Sequence, residues 1–210
     1  MCAVLVSIEH YYMLNFSESC ERNKQAIAEV LSPQFSTAKS VLEIGSYSGQ
    51  HAIHFCQNFS HLVWQASDVA ENINALIQNL VNTKLDNFPA PKILNVIEES
   101  HWPKQQFDLI YTANTLHIMS WQAVKSFFKF LPQVSRPGTL LCIYGPFKYD
   151  GEYSSKSNAE FQVWLQERNI ESGIRDFEQV NELAEHHGYK LWFDHNMPAN
   201  NQLLIWQKIS

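Results

Sequence analysis

Four polar side chains stand at the ends of short apolar runs in this chain: Glu43, Asp68, Asn95 and Asn114. If those runs are parallel β-strands, their carboxyl ends meet at one edge of a sheet, which is where open α/β sheets bind ligands. Carboxylate and amide oxygens at that edge can accept hydrogen bonds from ribose hydroxyls or from an amino acid ammonium group. The pattern therefore predicts one ligand site that gathers all four side chains.

The first apolar run, residues 41–44, leads through a turn with Gly45 and Gly49 into a segment with helical spacing over residues 50–58. Glycines allow a tight turn and a close approach of the backbone to a ligand. Their Gly-x-x-x-Gly spacing differs from the Gly-x-Gly-x-x-Gly that binds a dinucleotide pyrophosphate, which disfavours NAD and FAD. The glycines alone fit an ordinary strand–helix turn equally well. Glu43 favours a ligand, because a buried carboxylate is costly unless donors reach it.

Asp68 ends the second strand-like run, residues 61–68, about 20 residues after the glycine turn. At this spacing a carboxylate grips the ribose hydroxyls of an adenosyl group. The alternative is that Asp68 caps a helix that begins near Glu71. The two hypotheses differ in what a substitution of Asp68 does, because only the first one predicts a loss of ligand affinity.

Strand-like and helix-like segments alternate along the chain, and this alternation is typical of a doubly wound parallel sheet in an α/β fold. The first helix opens at residues 21–24 and is expected to end at Pro33, because proline lacks an amide hydrogen. Ser157 is expected to cap a later helix, and Asp176 with Gln179 has the spacing of a capping box. The remaining predicted segments are helices over 71–81 and 121–134, strands over 92–96, 107–114 and 139–144, an aromatic loop over 145–153, and a terminal antiparallel hairpin of 189–195 and 202–208.

The composition indicates one domain and disfavours two classes of partner. A chain of 210 residues suffices for one sizeable core, so we expect an N-terminal arm of residues 1–20 and a single domain of residues 21–210. The net charge of −6, without a run of basic residues, disfavours nucleic acids and anionic membranes as partners. A small-molecule substrate is the expected partner.

The cysteines and the first residues favour a cytoplasmic protein. Residues 1–6 are apolar but few, and they lack a basic leader, so they fit neither a signal peptide nor a membrane span. The cysteines have no Cys-x-x-Cys spacing and are expected to be reduced. They are Cys2, Cys20, Cys56 and Cys142.

Eight short motifs, in order along the chain, resemble an uncharacterised methyltransferase-like family within the class I S-adenosylmethionine-dependent methyltransferases. The resemblance covers nearly the whole chain from residue 21. It implies a Rossmann-like doubly wound sheet of about seven strands with an antiparallel last strand, and S-adenosylmethionine as the cofactor. The motifs read ERNK (21–24), VLEIGSYSGQHA (41–52), WQASD (64–68), ANTLHIMSW (113–121), YGPF (144–147), SNAEF (157–161), GIRD (173–176) and MPANN (197–201).

The resemblance also implies a cofactor that lies over residues 45–49, with Asp68 on its ribose. Two residues depart from the family pattern: Tyr47 replaces the middle glycine of the turn, and Asn95 stands where related sequences usually carry aspartate. A bulky residue at position 47 is strained if the backbone there needs a positive φ. The full set of expected cofactor-binding residues is Glu43, Gly45, Ser46, Tyr47, Gly49, Asp68, Asn95, Val96 and Asn114.

His117 is the best-placed general base if the methyl acceptor must lose a proton, because it follows the end of the fourth strand. The alternative is that its ring only satisfies a loop carbonyl. Tyr144 is the second catalytic candidate. Together with Phe147, Asn200 and Asn201 it forms the expected acceptor site, although hairpin geometry explains the two asparagines equally well.

These residues predict an S-adenosylmethionine-dependent methyltransferase that transfers a methyl group to a small molecule by in-line displacement. The alternative is a non-catalytic S-adenosylmethionine-binding or scaffold protein that kept the fold, which Tyr47 and Asn95 motivate. A nicotinamide oxidoreductase is disfavoured by the glycine spacing. No metal site is expected, because no Cys or carboxylate is spaced to join His51 and His54.

Overall fold

The computed structural model describes residues 12–209 and contains ten strands and six α-helices within that range. The strands are β1 (Ser40–Ile44), β2 (Val63–Asp68), β3 (Lys92–Ile93), β4 (Leu109–Ala113), β5 (Leu140–Gly145), β6 (Phe147–Tyr149), β7 (Glu152–Tyr153), β8 (Arg175–Asp176), β9 (Tyr189–Met197) and β10 (Asn201–Lys208). The helices are α1 (Glu18–Thr37), α2 (Gln50–Asn58), α3 (Ala70–Asn82), α4 (Trp121–Phe130), α5 (Lys156–Arg168) and α6 (Phe177–His186).

Seven of the strands form one sheet in the order β3-β2-β1-β4-β5-β10-β9. The first five are mutually parallel, and β10 is antiparallel to both of its neighbours. Helices α1, α2 and α3 cover one face, and α4 and α6 cover the other. The prediction of a doubly wound α/β sheet of about seven strands with an antiparallel last strand is confirmed.

Successive side chains of the central strand β1 point to opposite faces of the sheet. Val41 packs in the core beneath α1, α2 and α3, whereas Leu42 and Ile44 pack in the core beneath α4 and α6. Because helices cover both faces, the central strands are largely apolar and almost fully buried. The same alternation places Glu43 on the face of Val41, toward α1 and α2.

Helix α1 is longer than predicted at both ends. It begins at Glu18, and the hydroxyl of Ser17 caps it by accepting a hydrogen bond from a first-turn amide. The helix continues past Pro33, so the prediction that Pro33 ends it is wrong. Proline removes one helical hydrogen bond, but the turn beyond it carries the fully buried Phe35, and this packing outweighs the loss.

Two predicted helix caps differ from the observed ones. Ser155, rather than Ser157, caps α5, and its hydroxyl accepts from the amide of Asn158 at 3.1 Å. Asp176 is the N-cap residue of α6, but its side chain makes no capping hydrogen bond, so the predicted capping box is wrong. Its carboxylate lies instead 3.9 Å from Nζ of Lys148.

The expected aromatic loop after β5 is partly a β-hairpin formed by β6 and β7, and β6 also pairs with β8. Asp150 and Gly151 form its turn with φ of 51° and 77°. An Asp-Gly pair with two positive φ angles is typical of a tight hairpin turn. The predicted helix over 121–134 is also divided, because a 3₁₀ turn over 131–134 follows α4.

Within the described range, no helix is both long enough and apolar enough to cross a membrane. Cys20, Cys56 and Cys142 form no disulfide. Cys2 lies outside the described residues, as does most of the expected N-terminal arm.

Candidate functional site

A cavity of about 1460 Å³ lies beyond the carboxyl ends of β1, β2, β4 and β5. This volume exceeds that of a typical pocket for one drug-sized ligand, about 300–1,000 Å³, so the cavity has room for two small molecules. The start of α1, part of α5 and the turn between β9 and β10 complete its wall. Of the predicted site residues, the wall contains Gly45, Ser46, Tyr47, Asp68, Asn95, Val96, Asn114, His117, Tyr144 and Asn201, but not Glu43, Gly49, Phe147 or Asn200.

The loop after β1 brings three residues to the wall, and the backbone amides of all three already donate hydrogen bonds within the protein. The amides of Gly45 and Ser46 donate to the carbonyl of Ser67 at 3.0 and 2.9 Å. The amide of Tyr47 donates to Oδ2 of Asp68 at 2.6 Å. These three amides are therefore not available to cradle a pyrophosphate, as a dinucleotide site would require.

Tyr47 adopts the backbone conformation that the sequence analysis singled out as strained. Its φ is 50°, in the left-handed region, where a residue with a side chain is less stable by about 1–2 kcal/mol than in the ordinary helical region. Its side chain lines the cavity and remains 42% exposed, so much of the ring faces open space instead of the core.

Asp68 is 6% exposed and uses three of its four acceptor positions inside the protein. Besides the amide of Tyr47 on Oδ2, the amide of Val69 and Nδ2 of Asn72 donate to Oδ1 at 2.8 and 2.9 Å. The N-cap residue of α3 is Val69, so Asp68 does not occupy the cap position itself. One acceptor position of the carboxylate remains for a ligand hydroxyl.

Glu43 is buried behind the cavity wall. Its carboxylate accepts a hydrogen bond from Nε1 of Trp64 at 3.0 Å, so the buried acid is satisfied by an indole and not by a ribose or an ammonium group. Burial raises the pKa of Glu43 to about 7. The strand alternation explains the position, because it directs this side chain toward the same core as Val41.

The raised pKa of Glu43 makes stability depend on pH. The folded protein holds this proton up to about pH 7, whereas the unfolded chain releases it near 4.5. The raised pKa therefore contributes its full share of stability below about pH 4.5, and this share is lost as the pH rises from about 4.5 to about 7. Glutamine does not titrate, so only wild type loses this share. We therefore expect the unfolding free energy of Glu43→Gln minus that of wild type to increase by about 3 kcal/mol from about pH 4 to about pH 8.

Urea unfolding of both proteins at the two pH values, without added ligand, measures this difference. Glu29→Gln on α1 is the control, since Glu29 is exposed and its change is expected to stay within about 0.5 kcal/mol. A gap between Glu43→Gln and wild type that does not change with pH contradicts the prediction.

His117 lies in the loop after β4 and is 5% exposed. Burial, with a smaller effect of the Arg175 charge, lowers its pKa to about 4, so the ring is neutral at physiological pH. The ring packs edge-on against Phe161 at 5.3 Å between centroids. Among the described residues, neither ring nitrogen has a hydrogen-bond partner, so no loop carbonyl accounts for the side chain.

The side chains of His117 and Asn114 converge beside Gly145, at the end of β5. A Cβ atom built on Gly145 would lie 3.6 Å from Nδ1 of His117 and 3.9 Å from Oδ1 of Asn114. Asn114 itself has a φ of 59°, and its amide donates to the carbonyl of Tyr144 at 2.8 Å. The turn after β4 thus holds an imidazole and a carboxamide at one point of the wall.

The GIRD segment fixes the backbone on both sides of His117. The amide of Gly173 donates to the carbonyl of His117 at 2.8 Å, and Nε of Arg175 donates to the carbonyl of Leu116 at 3.0 Å. Arg175 also donates to the carbonyl of Met119. This motif therefore positions the histidine without reaching the cavity itself.

Asn95 and Tyr144 each present a polar group to the cavity. Oδ1 of Asn95 accepts from the amide of Ile97 at 3.3 Å, and Nδ2 has no partner among residues 12–209. Tyr144 is 3% exposed, and burial raises its pKa, an effect partly offset by Asn23. Asn95 thus keeps a free donor in the wall, and the Tyr144 phenol stays protonated.

The residues predicted for the acceptor are mostly structural. Phe147 is buried in the core beneath α4 and α6. The carbonyl of Asn200 accepts from Nδ2 of Asn158 at 2.9 Å, and Nδ2 of Asn201 donates to the carbonyl of Pro198 at 3.2 Å. Hairpin geometry, the alternative explanation, thus accounts for the contacts of Asn201, whereas Asn200 is bonded to Ser157 and Asn158 on α5; of the two, only Asn201 reaches the wall.

Two parts of the wall were not predicted from the sequence. Phe161 and Trp164 on α5 are stacked with ring centroids 5.5 Å apart and form an aromatic side of the cavity. The start of α1 forms another side, which includes Arg22. The spacing of three between the aromatics was the available signal for the first part, whereas residues 21–24 were predicted only as the start of the first helix.

Comparisons with known proteins agree with this architecture. A family profile described as "Protein of unknown function (DUF938)" matches residues 14–208. An O-methyltransferase family protein from Burkholderia thailandensis superposes with a TM-score of 0.75 at 14% identity, over 89% of this chain and 58% of that one. Human N-acetylserotonin methyltransferase, solved with S-adenosylmethionine, has a TM-score of 0.70 at 14% identity, over 89% and 55%.

A third similar structure is NcsB1, an O-methyltransferase from neocarzinostatin biosynthesis solved with S-adenosylmethionine and 2-hydroxy-5-methyl naphthoic acid. It has a TM-score of 0.74 at 12% identity and covers 91% of this chain and 55% of that one. The chain thus spans 55–58% of the length of these three proteins. The likeness shows that the chain has the methyltransferase fold.

Proposed function

We propose that this chain, which belongs to the DUF938 family, is an S-adenosylmethionine-dependent methyltransferase that acts on a hydroxyl group of a small, flat molecule. The observation that carries the proposal is the composition of one cavity wall. It joins Asp68, a carboxylate with one acceptor position left, to His117, a buried neutral imidazole whose ring has no hydrogen-bond partner among residues 12–209. Two of the similar structures were solved with S-adenosylmethionine, which supports the choice of cofactor.

The residues of the wall fit this cofactor better than a phosphate-bearing one. The amides of residues 45–47 donate to acceptors within the protein, which disfavours a pyrophosphate as their ligand. S-adenosylmethionine has no phosphate. The remaining acceptor position of Asp68 suits one ribose hydroxyl, and Nδ2 of Asn95, with Val96 beside it, suits an adenine ring. When bound, S-adenosylmethionine supplies a methyl group on a positively charged sulfur.

The acceptor side supports a flat, apolar molecule with an acidic hydroxyl. Phe161 and Trp164 provide aromatic faces there, and Ile118 and Met119 add apolar surface. Because burial lowers the pKa of His117 to about 4, the ring is free to accept a proton but is a weak base. It therefore suits a phenol, with a pKa of about 10, better than an aliphatic hydroxyl, whose pKa is closer to the value of about 15.7 for water.

Substitution of Asp68 tests the cofactor site. We expect Asp68→Ala to weaken the binding of S-adenosylhomocysteine by about tenfold, since a charge-assisted hydrogen bond is lost, and to lower stability by about 2 kcal/mol, since backbone donors lose their acceptor. Isothermal calorimetry and urea unfolding measure the two effects. Asp108→Ala is the matched control, because Asp108 accepts from the amides of Lys39 and Ser40 but lies outside this cavity.

Asp108→Ala is expected to lose stability and keep cofactor affinity. Equal affinities for wild type and Asp68→Ala refute the ribose role of Asp68. If wild type binds neither S-adenosylmethionine nor S-adenosylhomocysteine, the proposed function fails, and binding of NADH instead would favour an oxidoreductase. A labelled-methyl assay with hydroxylated aromatics, including N-acetylserotonin and 2-hydroxy-5-methyl naphthoic acid, then separates an enzyme from a protein that only binds the cofactor.

A further inference from the structure

The ERNK motif at the start of α1 contains one charged side chain that the fold does not use. Glu21 accepts from Nε2 of Gln50 at 3.0 Å and forms an ion pair with Lys24. Asn23 is hydrogen-bonded to the ring of His51. Among residues 12–209, Arg22 has neither a hydrogen bond nor an ion pair, and it is an exposed residue that lines the cavity. The structure thus gives partners to three residues of the motif and leaves the fourth facing the site.

The contacts of its neighbours fix Arg22 beside the loop that follows β1. Gln50 and His51 are the first two residues of α2 and come directly after the turn of residues 45–49. His51 Nε2 lies 2.7 Å from Oδ1 of Asn23, and its Nδ1 lies 3.3 Å from the hydroxyl of Tyr111, which accounts for both ring nitrogens. The amide of Ser17 donates to Oε1 of Gln50 at 2.7 Å. Residues 17–23 are therefore bound to the beginning of α2, and Arg22 is held at this end of the cavity.

Arg22 is the only lysine or arginine among the described residues that line the cavity. The two buried histidines of the wall carry no charge at neutral pH, because burial lowers the pKa of His51 to about 3 and that of His117 to about 4. Residues 1–11 contain no lysine or arginine in their sequence. The amides of residues 45–47 are committed within the protein. Within residues 12–209, an anionic group at this end of the cavity therefore has one cation with which to pair.

We propose that Arg22 binds the carboxylate at the amino acid end of the cofactor. This inference rests on the proposed function, since S-adenosylmethionine carries that carboxylate and S-adenosylhomocysteine shares it. The guanidinium group presents its donors in a planar fork that matches a carboxylate with two parallel hydrogen bonds. Glu18, one helical turn earlier and also in the wall, is not ion-paired with Arg22, so the guanidinium does not have to break a contact to bind.

Two ligands that differ only in the amino acid end test this assignment by calorimetry. S-adenosylhomocysteine has the carboxylate, and 5′-methylthioadenosine lacks the whole amino acid portion. We expect Arg22→Gln to lower the affinity for S-adenosylhomocysteine by about 10- to 100-fold, the range for a lost charge-assisted pair. The affinity for 5′-methylthioadenosine is expected to stay within about twofold of wild type. Arg22→Lys is expected to bind S-adenosylhomocysteine with an affinity between those of wild type and Arg22→Gln, since an ammonium group keeps the charge but not the planar fork of donors.

Lys24→Gln is the matched control, because Lys24 belongs to the same motif but is outside the cavity wall. It is expected to change neither affinity. If Arg22→Gln binds S-adenosylhomocysteine as tightly as wild type does, the carboxylate is held elsewhere and the proposal is overturned. If both ligands weaken equally, Arg22 supports only the position of α1, which also overturns it. Wild-type protein that binds neither ligand refutes the proposed function, a result distinct from these two.

Discussion

Replacement of His117 by glutamine is expected to lower the rate of methyl transfer to a hydroxylated aromatic acceptor by about 10²- to 10⁴-fold, the usual contribution of a general base. Glutamine has a similar length and can still fill the space against Phe161, but it does not accept a proton at neutral pH. The ring of His117 has no hydrogen-bond partner among the described residues, so the substitution breaks no such bond. Affinity for S-adenosylhomocysteine is therefore expected to stay within about threefold of wild type.

The pH dependence of the rate separates a base from a residue that merely fills space. Because burial lowers the pKa of His117 to about 4, the wild-type rate is expected to stay level down to about pH 5 and to fall below it, as the ring becomes protonated. In His117→Gln only an already ionised acceptor reacts, so the rate is expected to rise about tenfold per pH unit until the acceptor itself ionises.

A matched histidine outside the cavity provides the control for this experiment. His187, between α6 and β9, is expected to tolerate substitution by glutamine with rate and pH profile unchanged. The prediction is contradicted if His117→Gln methylates an acceptor at the wild-type rate and with the wild-type pH profile. His117 then has no role as a general base.

The strands at the centre of the sheet were predictable because their sequences suit a strand that is buried on both faces. Continuous apolar runs such as residues 139–144 have no stable place except between two covered faces. Pro33 shows the limit of local reasoning: its effect on a helix is a local property, but the burial of Phe35 one turn later is set by tertiary packing. The end of α1 depends on the second effect, and no local pattern reveals it.

Most of the residues predicted at the strand ends and in the turns that follow them lie in the cavity wall, whereas the contributions of α1 and α5 were not predicted. Asp68, Asn95 and Asn114 lie in the cavity wall as topology requires, whereas Glu43 does not. Whether a side chain near a strand end faces the ligand or a core depends on the alternation within the strand and on what packs there, here the indole of Trp64. The contribution of α1 depends on hydrogen bonds across the fold, which sequence spacing does not encode.

Replacement of Gly45 by alanine is expected to lower the unfolding free energy by about 2–5 kcal/mol. Gly45 has a φ of +77°, where an alanine is less stable by about 1–2 kcal/mol than in the right-handed region. In addition, its new methyl group would overlap Cγ2 of Thr115, which belongs to the loop that carries His117. Overpacking of this kind costs about 1–3 kcal/mol, because one of the two loops must shift. Urea unfolding measures the total.

A second glycine with the same backbone angle separates strain from overlap. Gly151 also has a φ of +77°, but a Cβ atom there would meet nothing within 4 Å, so Gly151→Ala is expected to lose only the conformational share of about 1–2 kcal/mol. Thr115→Ser removes the overlapping methyl group and keeps the hydroxyl that is bonded to Thr112. The double variant Gly45→Ala, Thr115→Ser is therefore expected to approach the loss seen for Gly151→Ala, and this non-additivity is the signature of direct contact between the two loops. The opposite result is that Gly45→Ala costs the same unfolding free energy in wild type and in the Thr115→Ser background. In that case the close approach of the two loops does not constrain position 45.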